Sequence, residues 1–288
     1  MKQKLILFLI GIFVFSISCQ NQKAKKGEEP KEEVAAVVAD DPSPELHSIS
    51  EIKAVFELAD VGFYPEIVND PLKALKYEGD RKIAANIGVY MADLIYVMTT
   101  SGRQNAYTNY GAIMELSKNV GLTDDMPRLI LERYEEGTTS VDEVQAMIEK
   151  ALNDSKKNLS ENKKAEFYAY MIMGNYIEKL YVVSSIIKRP KKAELPAEVE
   201  ASLKRGLLKY VSKQSGRLQE VVNLLASYQG DAKDIIVRNE IESLMNSYKA
   251  VEAKRAELLA LPPGDVYNAE EVVTIFNQIE SIRNRIVE

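Results

Sequence analysis

An all-α fold of about nine helices is what this sequence predicts, and three observations predict it. A polar residue followed three positions later by glutamate marks helix starts at Ser48/Glu51, Ser140/Glu143 and Asn268/Glu271. At that spacing a side-chain oxygen and a carboxylate satisfy the first orphan amides of a helix. Proline falls where apolar periodicity begins or ends, at Pro65, Pro71, Pro127, Pro190, Pro196, Pro262 and Pro263. No alternating run of apolar and polar residues is long enough to make a convincing strand.

The chain starts with Lys2 and Lys4 ahead of an apolar run at residues 5–15, interrupted only by Gly11. The run falls short of the roughly 17 to 25 residues a bilayer crossing needs. It therefore has the form of a secretory signal. It closes on Ser16, Ile17, Ser18 and Cys19, the one cysteine in the chain, and this ending resembles the lipobox of bacterial lipoproteins. The resemblance covers residues 1–21 and departs from the commonest pattern at Ser16, where leucine is usual. It implies cleavage before Cys19 and acyl chains on the new N-terminal cysteine, so that the membrane itself is a partner. Several acyl chains anchor stably where one is marginal. Gln20 stands where an inner-membrane retention signal has aspartate, so the family rule implies an outer-membrane address in an organism with two membranes. The simpler alternative is a plain secretory signal with a cysteine near its cleavage site.

Charge and composition exclude several function classes. The formal charge of −6 becomes −8 for side chains once the two signal lysines are removed. Such a body repels nucleic acid and anionic headgroups, so no nucleic-acid partner is expected. With Cys19 acylated no internal disulfide can form, and stability has to come from packing. Residues 19–45 form the lipidated cysteine and a tether rich in Lys, Glu, Ala, Asp and Pro, without the apolar period needed to offset ordering entropy. As a flexible coil the tether would reach about 25 to 30 Å.

The remaining roughly 240 residues suffice for one large or two smaller helical domains. Helices are expected near residues 49–62, 71–101, 104–120, 124–136, 140–157, 161–188, 196–228, 231–261 and 268–287, with a break in the second at Glu78, Gly79 and Asp80. Residues 83–98 and 167–187 are apolar on nearly every side. A helix of that kind in a soluble domain is surrounded by protein, so these two are the expected central pillars. At an offset of 86 they align Gly88 with Gly174, Tyr90 with Tyr176, Leu94 with Leu180 and Val97 with Val183. Duplication would produce this, and so to a degree would the shared composition of two buried helices.

The last three helices carry apolar stripes at spacings of three and four. Leu207, Val211 and Leu218 lie on the first, Leu244, Tyr248 and Val251 on the second, and Phe276, Ile279 and Ile286 on the third. Charged opposite faces make this the pattern of an elongated antiparallel three-helix bundle. The expected organisation is a signal over 1–18, the tether over 19–45, a helical core region over 46–190 and the C-terminal bundle over 191–288.

Most catalytic chemistry is missing. His47 is the only histidine, which leaves no zinc set, no Ser-His-Asp triad and no Cys-His pair, and neither metal nor cofactor is expected. No phosphate-binding glycine loop or nucleophile elbow occurs. Carboxylate-only chemistry passes this filter, with Asp93 and Glu178 as candidates because each sits in an apolar helix where desolvation raises a carboxyl pKa. The structural alternative has Asp93 accepting from a buried tyrosine or pairing with Lys179 or Arg103, and Glu178 facing solvent. No residue is assigned as catalytic. Tyr90 and Tyr176, with Asp93 and Glu178, are the candidate ligand-binding residues of a pocket between the helices at 82–100 and 165–187, although tyrosine and methionine there equally suit a core. Tyr107 and Tyr110, flanked by Asn105, Thr108 and Asn109, are the candidate partner surface.

The function expected from these residues is a membrane-anchored, non-enzymatic binding or scaffolding module of the bacterial cell envelope, with an envelope protein as partner. The alternative is a small-molecule-binding or carboxylate-dependent hydrolytic protein using the pocket between the two pillars.

Overall fold

A computed structural model describes residues 62–100, 103–122, 132–133, 140–161, 164–189, 214–228 and 232–288. The chain divides into two compact units, Met1–Ser43 and Pro44–Glu288, and every described residue belongs to the second. The signal, Cys19, the tether, the Ser48/Glu51 pair, most of the helices expected at 49–62 and 124–136, and the first half of that at 196–228 lie outside the described residues.

The fold is all-α, with no strand among the described residues. A 3-10 helix at Pro71–Lys76 precedes α1 (Asp80–Thr100), α2 (Arg103–Val120), α3 (Val141–Glu161), α4 (Ala165–Ile187), α5 (Gln214–Ala226), α6 (Ala232–Ala253), α7 (Arg255–Ala260), α8 (Pro263–Val266) and α9 (Glu270–Val287). The expected break falls at Gly79, whose φ of +86° is the left-handed value that glycine tolerates without a Cβ penalty. Asp70 caps the 3-10 helix by accepting from the Leu72 amide at 3.0 Å. Ser140 and Glu143 form the reciprocal box the spacing predicts, with Ser140 N donating to Glu143 Oε2 at 2.7 Å and Glu143 N to Ser140 Oγ at 3.2 Å. The third predicted box does not form as expected. Ala269 is the N-cap of α9, and Glu271 turns instead to the Lys254 ammonium, which lies close enough to form an ion pair.

α1 and α4 are the pillars. Ile87, Tyr90, Leu94 and Ile95 of α1 and Met171, Ile177 and Leu180 of α4 are all but sealed from water. Each such side chain contributes about 1.5 to 3 kcal/mol relative to exposure. α1 is long and apolar enough to cross a membrane, but here that surface is covered by protein.

The pillars run parallel. Arg81 reaches Glu166 at their N-terminal ends, and Tyr96 packs in one cluster with Val182, Val183 and Ile186 at their C-terminal ends. Their closest approach is at two glycines. A Cβ on Gly88 would lie 2.7 Å from the Asn175 amide and collide with the Met171 carbonyl, while one on Gly174 would collide with the Ala85 carbonyl. Met171 is 86 positions beyond Ala85, as Gly174 is beyond Gly88, so the two collisions are the same contact seen from either helix. The offset that aligns the two sequences is also the register in which the helices pack. Asn175 closes the junction by donating its side-chain amide to the Gly88 carbonyl at 3.2 Å.

The other helices surround this pair. α2 packs back along α1, α3 against α4, α5 against α6 and α4, and α9 against α6, α4 and α1. The C-terminal helices therefore share their core with the pillars, and one apolar cluster extends from Ala74 to Val287. α6 and α7 occupy most of the single helix expected at 231–261 and are separated only by Lys254 (φ −92°, ψ 9°).

Candidate functional site

Two places concentrate polar chemistry: a sealed cluster between the pillars and α9, and an open cleft where the pillars begin. The sealed cluster contains Asp93 and Glu178, both without solvent exposure. Asp93 Oδ2 accepts the Asn69 backbone N–H at 2.9 Å, which ties the segment before the 3-10 helix to α1. Both Glu178 oxygens accept from Arg283 of α9, from Nε at 3.1 Å and Nη2 at 3.3 Å. The guanidinium also stacks over the Tyr181 ring, 4.6 Å from its centroid.

Two carboxylates side by side without water repel each other unless one holds a proton. Burial, then the charge of Glu178, push the Asp93 carboxyl well above the usual carboxylate range. Burial also raises Glu178, but the Arg283 guanidinium counters this and favours its ionised form. Asp93 Oδ1 accepts no hydrogen bond, and the Asp93 carboxyl lies against that of Glu178, so a proton on Asp93 relieves the repulsion between the two. The cluster is then neutral overall: a carboxylic acid, a carboxylate and a guanidinium. Because the folded pKa of Asp93 lies above its unfolded value, the folded chain binds the extra proton. The stability this gives is complete below about pH 4 and fades as pH rises through the folded pKa.

These contacts differ from the expected ones. Glu178 does not face solvent, and the contacts of Asp93 are Asn69 and Glu178 rather than Lys179, while the Arg103 side chain lies outside the described residues. Lys179 is itself buried, its amine forms no hydrogen bond, and burial lowers its pKa to about 8. Tyr90 is sealed and donates to the Asp70 carbonyl at 2.8 Å, while the buried Tyr176 phenol donates to the side-chain oxygen of Gln214. The four candidate ligand-binding residues thus lie inside the core, and none lines the open cleft. Of the candidate partner surface, Tyr107 is exposed and Tyr110 is half-buried against the core.

Arg283 is the residue that sequence reasoning missed. It follows Phe276 by seven residues and Ile279 by four, at a buried position of the α9 stripe. A charge in that register is the available signal, since a buried guanidinium requires a carboxylate opposite.

The open cleft has a volume of about 1020 Å³. Ala85, Phe167, Met173 and Ile286 give it an apolar lining, and Arg81, Glu166, Asp234 and Arg285 bring charge to it. The N-terminal turns of α1, α4 and α6 meet here, and each carries an acid, Asp80, Glu166 and Asp234 respectively, where the helix dipole favours one. Arg81 bridges two of them, at 3.1 Å from Glu166 and in close contact with Asp234. Tyr170 donates its phenol to the same Asp234. Burial and the Asp234 hydrogen bond raise the Tyr170 pKa, so the phenol keeps its proton. Arg285 is held by both oxygens of Glu240, at 2.9 and 2.7 Å. Four acids, Glu78, Asp80, Glu166 and Asp234, and three bases, Arg81, Lys82 and Arg285, ring an apolar surface, an arrangement that can hold a largely apolar group. Among the described residues, no group of three or more His, Cys, Asp or Glu is arranged to hold a metal ion.

No family model matches this chain, and no curated protein or solved structure shows significant similarity to it.

Proposed function

We propose that this chain is a lipid-anchored, non-enzymatic binding module of the bacterial cell envelope, held at the outer membrane by acyl chains on Cys19. Its ligand or protein partner engages the cleft where α1 and α4 begin. The observation that carries the non-enzymatic part is the condition of the two pillar acids. Asp93 accepts the Asn69 amide at one oxygen, Glu178 is engaged at both oxygens by Arg283, and both side chains are without solvent exposure. An acid that must exchange a proton with substrate has to lie within reach of it, and neither acid lines the cleft.

The cleft supports the binding part. Its volume falls at the upper end of what small-molecule sites enclose, roughly 300 to 1000 Å³. It lies at the N-terminal ends of α1 and α4, one to three turns before Asp93 and Glu178, and is not lined by the four residues expected to form a pocket. The anchoring part rests on the sequence ending at Ser16, Ile17, Ser18 and Cys19.

Labelled palmitate tests the anchor. In a bacterial host the wild-type chain should take up the label and sediment with the outer membrane, while Cys19→Ala should take up none and leave the membrane fraction. A wild-type chain without label, or a Cys19→Ala chain labelled to the same extent, contradicts the anchored reading.

A further inference from the structure

The 3-10 helix Pro71–Lys76 has three residues per turn, so residues three apart lie one above the other and form ridges. Ala74 and Tyr77 form the inner ridge and are buried. Leu72 and Leu75 form an outer ridge and are 68% and 73% exposed, the two most exposed large apolar side chains among the described residues. Lys73 and Lys76 form the third: Lys76 is exposed, and Lys73 is half-buried with its amine 3.4 Å from the Val287 carbonyl. Of the nearby acids, Asp70 is engaged in capping the Leu72 amide, and Glu78 borders the cleft.

This pair of leucines is held rigidly. Tyr77 donates to the Val287 carbonyl at 3.1 Å and accepts from the Asn69 side chain at 2.9 Å, while Tyr90 binds the Asp70 carbonyl from below. The backbone under the leucines is therefore fixed to α1 and α9, and exposure here is a property of the fold rather than of a loose loop.

We infer that the Leu72–Leu75 ridge is a lipid-contact site, its leucines entering the membrane interface with Lys76 beside them at the level of the lipid phosphates. A leucine ridge next to a lysine ridge is the pattern of interfacial segments: apolar side chains enter the acyl boundary while basic heads remain at the phosphates. The position along the chain favours lipid over a soluble partner. Gly62, the first described residue, lies 43 positions after Cys19, and the 3-10 helix is the first element among the described residues. Among the described residues, the part nearest the anchor in sequence is thus the part that exposes leucine. The body's negative charge opposes wholesale adsorption, so contact is confined to this ridge.

The inference rests on the anchored reading only for what brings the body to a membrane, and the test replaces that anchor. A chain beginning at residue 20 with an N-terminal histidine tag is held on nickel-chelating vesicles of phosphatidylethanolamine and phosphatidylglycerol. It contains no cysteine, so Leu75→Cys takes a single environment-sensitive fluorophore, and Lys249→Cys, at an exposed site on α6, is the control. On vesicles the label at residue 75 should shift to shorter wavelength and be quenched several-fold more by brominated lipid than the label at 249. Leu72→Ser in the same chain should reduce that quenching. A label at 75 that stays as wet as the label at 249 overturns the inference. So does one that becomes shielded only when detergent-extracted envelope protein is added, which would assign the ridge to a protein partner. Neither result depends on whether Cys19 is acylated.

Discussion

Gly174→Val is expected to destabilise the protein by at least about 3 kcal/mol, with loss of cooperative unfolding an acceptable extreme. The first new atom of the side chain already collides with the Ala85 carbonyl, which is backbone and cannot rotate aside. To admit it, α1 and α4 would have to separate along their shared face, exposing side chains such as Ile87 and Ile177 that are sealed there. Gly88→Val meets the Met171 carbonyl from the other side and should cost a similar amount. Gly216 on α5 provides the contrast, because a Cβ there meets nothing within 4 Å. Gly216→Ala should be neutral or stabilise by up to about 1 kcal/mol through helix propensity alone. Urea unfolding of the three variants reads this directly, and a Gly174→Val protein as stable as the wild type would mean that the pillars do not touch where the glycines lie.

Glu178→Ala should cost about 3 to 5 kcal/mol, since it leaves Arg283 charged and nearly buried without its partner. Arg283→Met should cost a comparable amount by leaving Glu178 uncompensated beside Asp93. The combined change Glu178→Leu with Arg283→Met removes both charges and keeps apolar volume, so much of the loss should return. A strongly non-additive double-mutant cycle is the expected signature. The exposed pair of Arg285 with Glu240 has good bidentate geometry but high solvent screening, and Arg285→Ala should fall within about 1 kcal/mol of wild type. If Glu178→Ala cost no more than Arg285→Ala, the buried cluster would not hold α9 to the pillars.

The pillars were legible in the sequence because their cause is local. Two stretches without a polar face have to be enclosed, whereas the glycines matched at an offset of 86 read as an alignment only, and their role as a close approach emerges from the fold. The Ser140 box was legible for the same reason, as both partners lie within one turn. What the sequence hid depends on distant partners. Glu178 beside Lys179 looks like an ordinary solvated pair until Arg283, 105 positions later, occupies the space that solvent would fill. Asn69 contributes a backbone amide to Asp93, and no side-chain pattern encodes that. The cleft likewise depends on three helix starts, at Asp80, Ala165 and Ala232, which meet only in the folded chain. At Asn268 the spacing was right but α9 begins with Ala269 as its cap, and Glu271 pairs with Lys254.

Asp93→Asn bears most directly on the claim that the pillar acids are a structural element kept together by one proton. Asparagine offers the Asn69 amide the same acceptor oxygen and gives Glu178 a permanent donor, without a proton to lose. Stability of the wild type and this variant should be measured from pH 4 to pH 9. The account predicts that the variant's stability relative to wild type rises with pH, by up to about 1.4 kcal/mol per unit until the folded pKa is passed, and that it is the more stable protein at the alkaline end. A difference between the two that stays constant across the range, with the variant less stable throughout, would mean that Asp93 is already ionised in the folded chain and would contradict the account.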